Sequence, residues 1–199
     1  MEKNMEGYTG SVRAVMREAK RGSLRGIHGA LSQLISVPEQ YAVAIETAFG
    51  AALQNIVTDS EGDAKRAIQF LKETKGGRAT FLPLSAVRGR MLEERGLAQC
   101  DGFVAVASDL VKCDATYEAV VKAQVGRTAV AEDMDCAIAI ARKFSYRFRI
   151  VTLDGQIINA GGSMTSGSRM QNAGFLSRSN EIEKLRTEMQ AAQAKLSEG

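Results

Sequence analysis

Between Ile150 and Gly167 the chain reads IVTLDGQIINAGGSMTSG, and this stretch limits what the remainder can be. Its first half alternates branched apolar residues around Asp154-Gly155, the signal of a two-strand hairpin with a tight turn. Its second half places Gly161, Gly162 and Gly167 among small hydroxyl residues, with Met164 the one bulky side chain. Glycine loses more backbone freedom on folding than any other residue, so three within seven positions weaken an isolated strand or helix. A chain accepts that cost where it needs positive φ or very close backbone approach. The approaching group is a phosphate or another polypeptide.

The phosphate reading fails on spacing. A P-loop requires Gly-x-x-x-x-Gly-Lys-Ser/Thr, and Gly162 and Gly167 are followed by Ser168 and Arg169, without the lysine. No Gly-x-Gly-x-x-Gly dinucleotide fingerprint occurs either. A flexible surface loop and a glycine-lined strand end that docks against a second chain are the stronger readings, with a phosphate the weakest of the three.

The rest of the chain is an ordinary α+β pattern. Ser11 to Arg21 is amphipathic, with Val12, Val15, Met16 and Ala19 on one face and Arg13, Arg17, Lys20 and Arg21 on another. Gly22 to Gly29 is read as a glycine-punctuated turn carrying the single histidine, His28, which has no sequence neighbour suited to metal binding or catalysis. Ser36-Val37-Pro38-Glu39 has the form of a capping box opening a helix through Phe49. Leu53 to Thr58 is read as a strand. A helix capped at Asp59-Ser60 follows and ends at Lys75-Gly76-Gly77. Ala79 to Leu84 is the next strand, and Pro83 places it at a sheet edge or strand end. Such an edge leaves backbone groups available to another chain.

Ser85 to Asp101 is charged, weakly periodic and read as a connector. Strands at Phe103 to Val111 and Thr128 to Ala131 flank a helix over Ala115 to Val125, and Asp133 to Phe144 is a further helix. Strand, acidic cap, helix, strand thus occurs twice, once around Ile56 to Leu82 and once around Ala129 to Val151. From Asn180 the pattern changes. Ile182, Leu185, Met189, Ala192 and Leu196 form a heptad seam with no partner seam in this chain, so the helix is expected to be an arm of a longer coiled-coil protein.

Composition excludes several classes. The 199 residues suffice for one domain or two small ones, and 45% hydrophobic with 25% charged residues is ordinary for a globular protein. No apolar run is long enough for a membrane span, and Met1-Glu2-Lys3-Asn4 has no signal-peptide character, so neither membrane insertion nor secretion is expected. Cys100, Cys113 and Cys136 are far apart with no Cys-x-x-Cys pair, which argues for reduced thiols, not for a disulfide framework or a zinc site. No nucleophile elbow, Ser-His or His-Cys pair or metal-binding helix is present. Catalytic residues, metal and cofactor are therefore all expected to be none.

Positive charge clusters in three places. Arg13 and Arg17 lie on the first helix, and Lys72, Lys75 and Arg78 lie at a helix end, where cations also suit the dipole. Arg142, Lys143, Arg147 and Arg149 interleave with Phe144, Tyr146 and Phe148. That mixture suits single-stranded nucleic acid. The favoured reading is a strand with aromatic residues inward and arginines outward. Sequence-specific readout has no support, so any DNA contact is through phosphates.

INAGGSMTSGS resembles the glycine signature of the hinge domain of structural maintenance of chromosomes (SMC) proteins, the bacterial type in particular. The resemblance extends through Gly26-Ile27-His28-Gly29, Tyr41 to Glu46, Asn55 to Asp59, Gly77 to Leu84, Tyr146 to Gly155 and Phe175-Leu176-Ser177-Arg178, in family order over nearly the whole chain. The chain departs from the bacterial pattern after Ser166-Gly167. Ser168-Arg169-Met170-Gln171-Asn172-Ala173 stand where a second glycine pair and a lysine-rich run are usual.

The resemblance implies a ring-shaped homodimer of two-subdomain α+β hinges with mixed sheets and packed helices. Subdomain I would span 9–85, a connector 86–101 and subdomain II 102–176, with coiled-coil arms ending at 8 and starting at 177. Gly161, Gly162, Ser163, Met164, Thr165 and Gly167 of one chain would meet Thr80, Phe81 and Leu82 of its partner. Lys72, Lys75, Arg78, Arg142, Lys143, Arg147, Arg169, Arg13 and Arg17 are the candidate DNA contacts. The implied role is to join the arms of a chromosome-organising ATPase, cytoplasmic and nucleoid-associated, whose catalytic heads lie elsewhere. An autonomous non-specific DNA-binding module and a small α/β enzyme with a phosphorylated ligand are the competing readings.

Overall fold

The computed structural model describes residues 7–167 and 174–197. In chain order the elements are α1 (Gly10–Arg21), β1 (Ile27–Ala30), α2 (Leu31–Leu34), β2 (Ile35–Ser36), α3 (Ala42–Phe49), β3 (Ile56–Thr58), α4 (Glu61–Glu73) and β4 (Phe81–Pro83). There follow β5 (Phe103–Val106), β6 (Lys112–Cys113), α5 (Glu118–Val125), β7 (Thr128–Ala131), α6 (Met134–Lys143), β8 (Arg149–Thr152), β9 (Ile157–Ile158), β10 (Met164–Thr165) and α7 (Phe175–Ser197). The strands form a three-stranded sheet, β1-β3-β4, a five-stranded sheet, β10-β9-β8-β7-β5, and a small pair, β2-β6.

The repeat seen weakly in the sequence is detailed in three dimensions. β3 and β4 are parallel across α4, as β7 and β8 are across α6. Each unit begins with an antiparallel strand that carries a register shift, between Ile27 and Gly29 in β1 and between Phe103 and Ala105 in β5. Each of these strands follows a glycine of positive φ, Gly26 or Gly102, whose carbonyl accepts from the amide of Asp59 or Glu132. A Cβ on Gly26 would strike the Asp63 carboxyl group, and one on Gly102 would strike the Cys136 sulfur. Asp63 and Cys136 are in turn equivalent, since their amides are bonded by the N-cap side chains Ser60 and Asp133.

The two helices also end alike. Gly76 and Tyr146 donate to the carbonyls of Leu71 and Ala141 at 2.8 Å, closing Schellman motifs. The residue before each donor is left-handed without being glycine, Lys75 (φ 51) and Ser145 (φ 55), and Tyr146 (φ 55) is left-handed as well. Between the first two strands of each unit stand a two-residue strand, a 3₁₀ turn ending in tyrosine (Tyr41, Tyr117) and a short helix (α3, α5). The two-residue strands pair antiparallel with Ser36 opposite Lys112. These are equivalent positions, so an approximate two-fold axis passes through the pair.

Burial alternates along the strands with period two and sorts the core into layers. Val57, Val130, Val151 and Ile157 face a central cluster with Ile45, Phe49, Val120 and Val125 of α3 and α5. Ile56 faces the other way, with Val12 and Val15 of α1 and Ala67 and Leu71 of α4. Ala129, Ala131, Ile150 and Ile158 face Ile140, Ala141, Phe144 and Phe148. Both faces of both sheets are thus covered, which parallel pairs require.

Several sequence expectations change. The strand read over Phe103 to Val111 ends at Val106, where a 3₁₀ turn over Ala107–Leu110 follows, and the strand read from Leu53 starts at Ile56 after a 3₁₀ turn over Gly50–Gln54. Ile27 to Gly29 is strand, not turn. Its pairing comes from β3, which local sequence does not reveal. The Ser36–Glu39 capping box does not form, because Ser36 is held in the β2-β6 pair, and α3 starts at Ala42 after an uncapped 3₁₀ turn. The connector is seated: Leu92 and Leu97 are buried, and the Leu92 amide donates to Gly126 at 2.8 Å. Arg149 points inward, donating to the Ala48 carbonyl and to Thr128.

Three turn and cap carboxylates are held below the usual range. The Ser60 hydroxyl does so for Asp63, the Thr116 amide for Asp114 and the Cys136 amide for Asp133. A carboxyl lowered in the folded state stabilises it above the ordinary carboxylate pKa of about 4, and that contribution is lost as pH falls through the lowered value. Asp133→Asn keeps an N-cap acceptor but does not titrate. Its urea midpoint is expected to fall less steeply than the wild type's below about pH 4, and an identical acid limb would contradict the assignment.

Candidate dimerisation interface

The glycine stretch is the outer edge of the five-stranded sheet. Gly155, with φ 88, turns β8 into β9, and the turn closes with the Thr152 amide donating to Gln156 at 2.9 Å. A second turn carries β9 into β10, with the Gly162 amide on Asn159 and the Asn159 amide on Ser163 at 2.7 Å. Gly161 (φ 89) and Gly162 (φ 100) supply the positive φ that this turn needs. Asn159 Nδ2 also donates to the Ser163 carbonyl and to Thr165 Oγ1.

The three glycines therefore serve different ends. A Cβ on Gly161 would meet nothing within 4 Å, and one on Gly162 would make ordinary contact with the Tyr146 ring. A Cβ on Gly167 would lie 1.9 Å from the Gly155 carbonyl oxygen. Gly167 is the close approach within the chain, while Gly161 has open space where a Cβ would stand and Gly162 faces the Tyr146 ring. Tyr146, read from sequence as part of an aromatic and basic run, is the seat of this turn, and its carbonyl accepts from the Gly161 amide at 2.8 Å.

Backbone direction alternates along a strand, so an edge strand presents only some residues outward. Thr165 is opposite Ile157, and the neighbouring bonded pair is Asn159 and Ser163, which leaves the N–H and C=O of Met164 directed away from β9. The Met164 side chain is 55% exposed.

β4 is an edge of the three-stranded sheet. The Ile56 amide donates to Thr80 and the Leu84 amide to Thr58, so Phe81 is the residue of β4 whose backbone faces outward. Pro83 has no N–H, and its carbonyl is taken by Ala86 and Val87. Thr80 is exposed and Phe81 half-buried, whereas the Leu82 side chain lies in the central core, leaving only its backbone near the edge.

The basic candidates divide. Arg13 and Arg17 of α1, and Lys72, Lys75 and Arg78 at the end of α4, are exposed on two helices packed together, with Ser11 Oγ donating to the Arg78 carbonyl at 2.6 Å. Arg142 and Lys143 are exposed at the end of α6, the equivalent place in the second unit. Arg147 is engaged, pairing with Glu94 at 2.9 Å. Phe144 and Phe148 are core residues and offer no stacking surface. Arg169 lies outside the described residues.

His28, discounted from sequence, has partners after all. Its ring bonds Tyr117 at 2.8 Å and Asp59 at 2.5 Å, joining the two units. Among the described residues no group of three or more His, Cys, Asp or Glu is placed to hold a metal, and no helix is long and apolar enough to cross a membrane. α7 leaves the domain with Ile182, Leu185, Met189 and Leu196 exposed, so the heptad seam is uncovered.

These features define a mixed α+β domain with β4 and β10 at sheet edges and one long outgoing helix. The chain belongs to the SMC hinge family: the family model of the SMC proteins flexible hinge domain matches residues 24–141. This is a hinge family and not an enzyme family, as the sequence reading expects. Across its whole length the chain is 41% identical to the chromosome partition protein Smc of Halothermothrix orenii, of which it spans 17%. Over 92% of its length it is 42% identical to that of Bacillus subtilis, of which it spans 16%. Among solved structures, an asymmetric dimer of the Geobacillus stearothermophilus SMC hinge domain matches with a TM-score of 0.90 at 41% identity, covering 98% of this chain and 78% of that one. The α+β fold expected from sequence is the fold of that hinge.

The glycine roles can be separated by substitution. Gly167→Ala drives a Cβ into the Gly155 carbonyl and is expected to loosen β10 from β9, raising amide exchange at Thr165. Gly161→Asn, a residue that tolerates positive φ, is expected to leave that exchange unchanged. Equal exchange in the two variants would contradict the distinction.

Proposed function

We propose that this chain is the dimerising hinge of a bacterial chromosome-partition protein. β10 and the Gly161-Gly162 turn of one chain pair with β4 of a second copy. The observation that carries the reading is the pair of open edges on different sheets, each with one outward backbone residue, Met164 and Phe81. A contact between unlike edges made once leaves a β4 and a β10 unused. Made twice about a two-fold axis, it closes into a ring. Each contact joins the five-stranded sheet of one chain to the three-stranded sheet of the other. The uncovered turn at Gly161 and Gly162 lets the partner's backbone come close, and Ser163, Thr165 and Thr80 border it. The Geobacillus stearothermophilus hinge, a dimer, supports the reading.

In this account 9–85 and 102–176 act as the two halves of the hinge, joined by 86–101, and arms extend from 8 and 177. The hinge holds together two arms of an ATP-dependent protein that organises and partitions chromosomes in the cytoplasm, on the nucleoid. DNA, where it touches the hinge, is held through phosphates by Lys72, Lys75, Arg78, Arg13 and Arg17 beside the α1-α4 pair and by Arg142 and Lys143 at the end of α6. Such binding has no sequence preference and weakens steeply with salt. Charge reversal at Lys72 and Lys75 is expected to reduce the salt slope of DNA affinity measured by fluorescence anisotropy. An unchanged slope would remove this helix end from the contact.

Two substitutions test the edge itself. Met164→Pro deletes one outward N–H while sparing the ladder to β9, since proline is tolerated where the N–H faces away from the sheet. Gly161→Asn, which tolerates positive φ and projects into open space, obstructs backbone approach. Both are expected to give folded protein, by circular dichroism, with half the wild-type mass in light scattering. A folded variant that keeps the dimer mass would contradict the proposed edge.

A further inference from the structure

The start of α7 is held from a place far away in sequence. Glu46, on α3, accepts the Gly174 amide on Oε2 at 3.1 Å and the Leu176 amide on Oε1 at 2.8 Å. The first amides of a helix have no partners within it, and the helix dipole makes a carboxylate there favourable. Hydrogen bonds to an ionised acceptor are about twice as strong as neutral ones. Beside the clamp, Leu176 is 1% exposed and lies in the central core, and the Phe175 ring stacks on Tyr8 with centroids 4.8 Å apart. The Tyr8 hydroxyl is bonded to Ser32 at 2.5 Å, and the Thr9 amide donates to Gln54 at 2.9 Å. The chain entering α1 and the chain leaving in α7 therefore share one anchorage.

α3 reaches the glycine stretch as well. Val43 and Thr47, one turn apart on α3, pack against the Asp154-Gly155 turn, where a Cβ on Gly155 would come within 3.1 Å of both side chains. Gly167 lies on the carbonyl of that same Gly155. One short, well-buried helix thus touches both the root of the arm and the hairpin that leads to the open edge.

We propose that Glu46 is the positioning residue that fixes the root of the outgoing arm to the hinge. The proposal rests on the reading of α7 as the first part of a coiled-coil arm. Leu176 and Phe175 supply burial, which has no direction. The two-oxygen clamp supplies orientation, because both amides must point at one carboxylate for it to form. Without it, the first turn of α7 is free to pivot about its apolar contacts.

The test is amide hydrogen exchange in the intact dimer, compared among wild type, Glu46→Ala and Glu46→Gln. Glu46→Ala is expected to raise exchange at Gly174 and Leu176 by about tenfold or more, with exchange at Val130 and Val151 unchanged. Glu46→Gln keeps one acceptor oxygen at nearly the same size and is expected to recover part of the protection. Unchanged exchange at Gly174 and Leu176 in Glu46→Ala would overturn the proposal. A uniform rise across the core in both variants would also overturn it, since that is the signature of general structural loss. The mass of the wild type, measured alongside, reports on dimerisation separately: a monomer would end the hinge-dimer reading, while the exchange comparison would still decide the role of Glu46.

Discussion

A strand in a parallel pair has to be covered on both faces, and this chain contains two such pairs with one crossover helix each. α4 covers one face of the first sheet together with α1, and α6 covers one face of the second. The opposite faces, carrying Val57 and Leu82 on one side and Val130, Val151 and Ile157 on the other, are covered by α3 and α5 between them. Both units depend on this shared layer. The two-fold relation follows from it: like elements α3 and α5 pack together, and like residues Ser36 and Lys112 face each other across β2-β6.

What burial leaves over carries the proposed function. Covering the faces does nothing for the edges, and in each sheet the last strand, β4 or β10, is short and open. A small domain that leaves unlike edges open has the means to build a closed pair from two copies. The glycines of the β9-β10 turn belong to the same logic. They shape a turn that leaves its outer side clear, and Tyr146 below holds it in place. The arm is attached to the core at Leu176 and oriented by a carboxylate from α3, so the shared layer underlies both the edge and the arm.

The sequence made much of this legible. The periodicity of α1, α4 and α6, the doubled strand-helix-strand pattern and the Asp154-Gly155 hairpin are local signals, and local signals are what a sequence displays. Pro83 marked the last residue of an edge strand correctly. The failures have a common physical cause. Ile27 to Gly29 reads as turn because glycines dominate it, yet β3 supplies its hydrogen bonds. Ser36 looks like a helix cap because Pro38-Glu39 follow, yet the pairing with Lys112 claims it. Arg149 reads as an outward cation because its neighbours alternate, yet the Ala48 carbonyl, brought in by α3, turns it inward. His28 lacked a carboxylate in sequence and gained Asp59 from the fold. Glu46 closes a stretch that carries the family resemblance, yet its role is not legible there, because its partners are backbone amides that any residue has. At the candidate interface the residue types were visible, but which backbone groups face outward, at Met164 and Phe81, depends on register and was not.

The central claim is that the two open edges bring two copies of this chain together. The measurement that tests it most directly is the absolute mass of the wild-type chain in solution, by light scattering after size exclusion over a dilution series. The account predicts twice the chain mass, held down to low micromolar concentration. A single-chain mass at every concentration would contradict it.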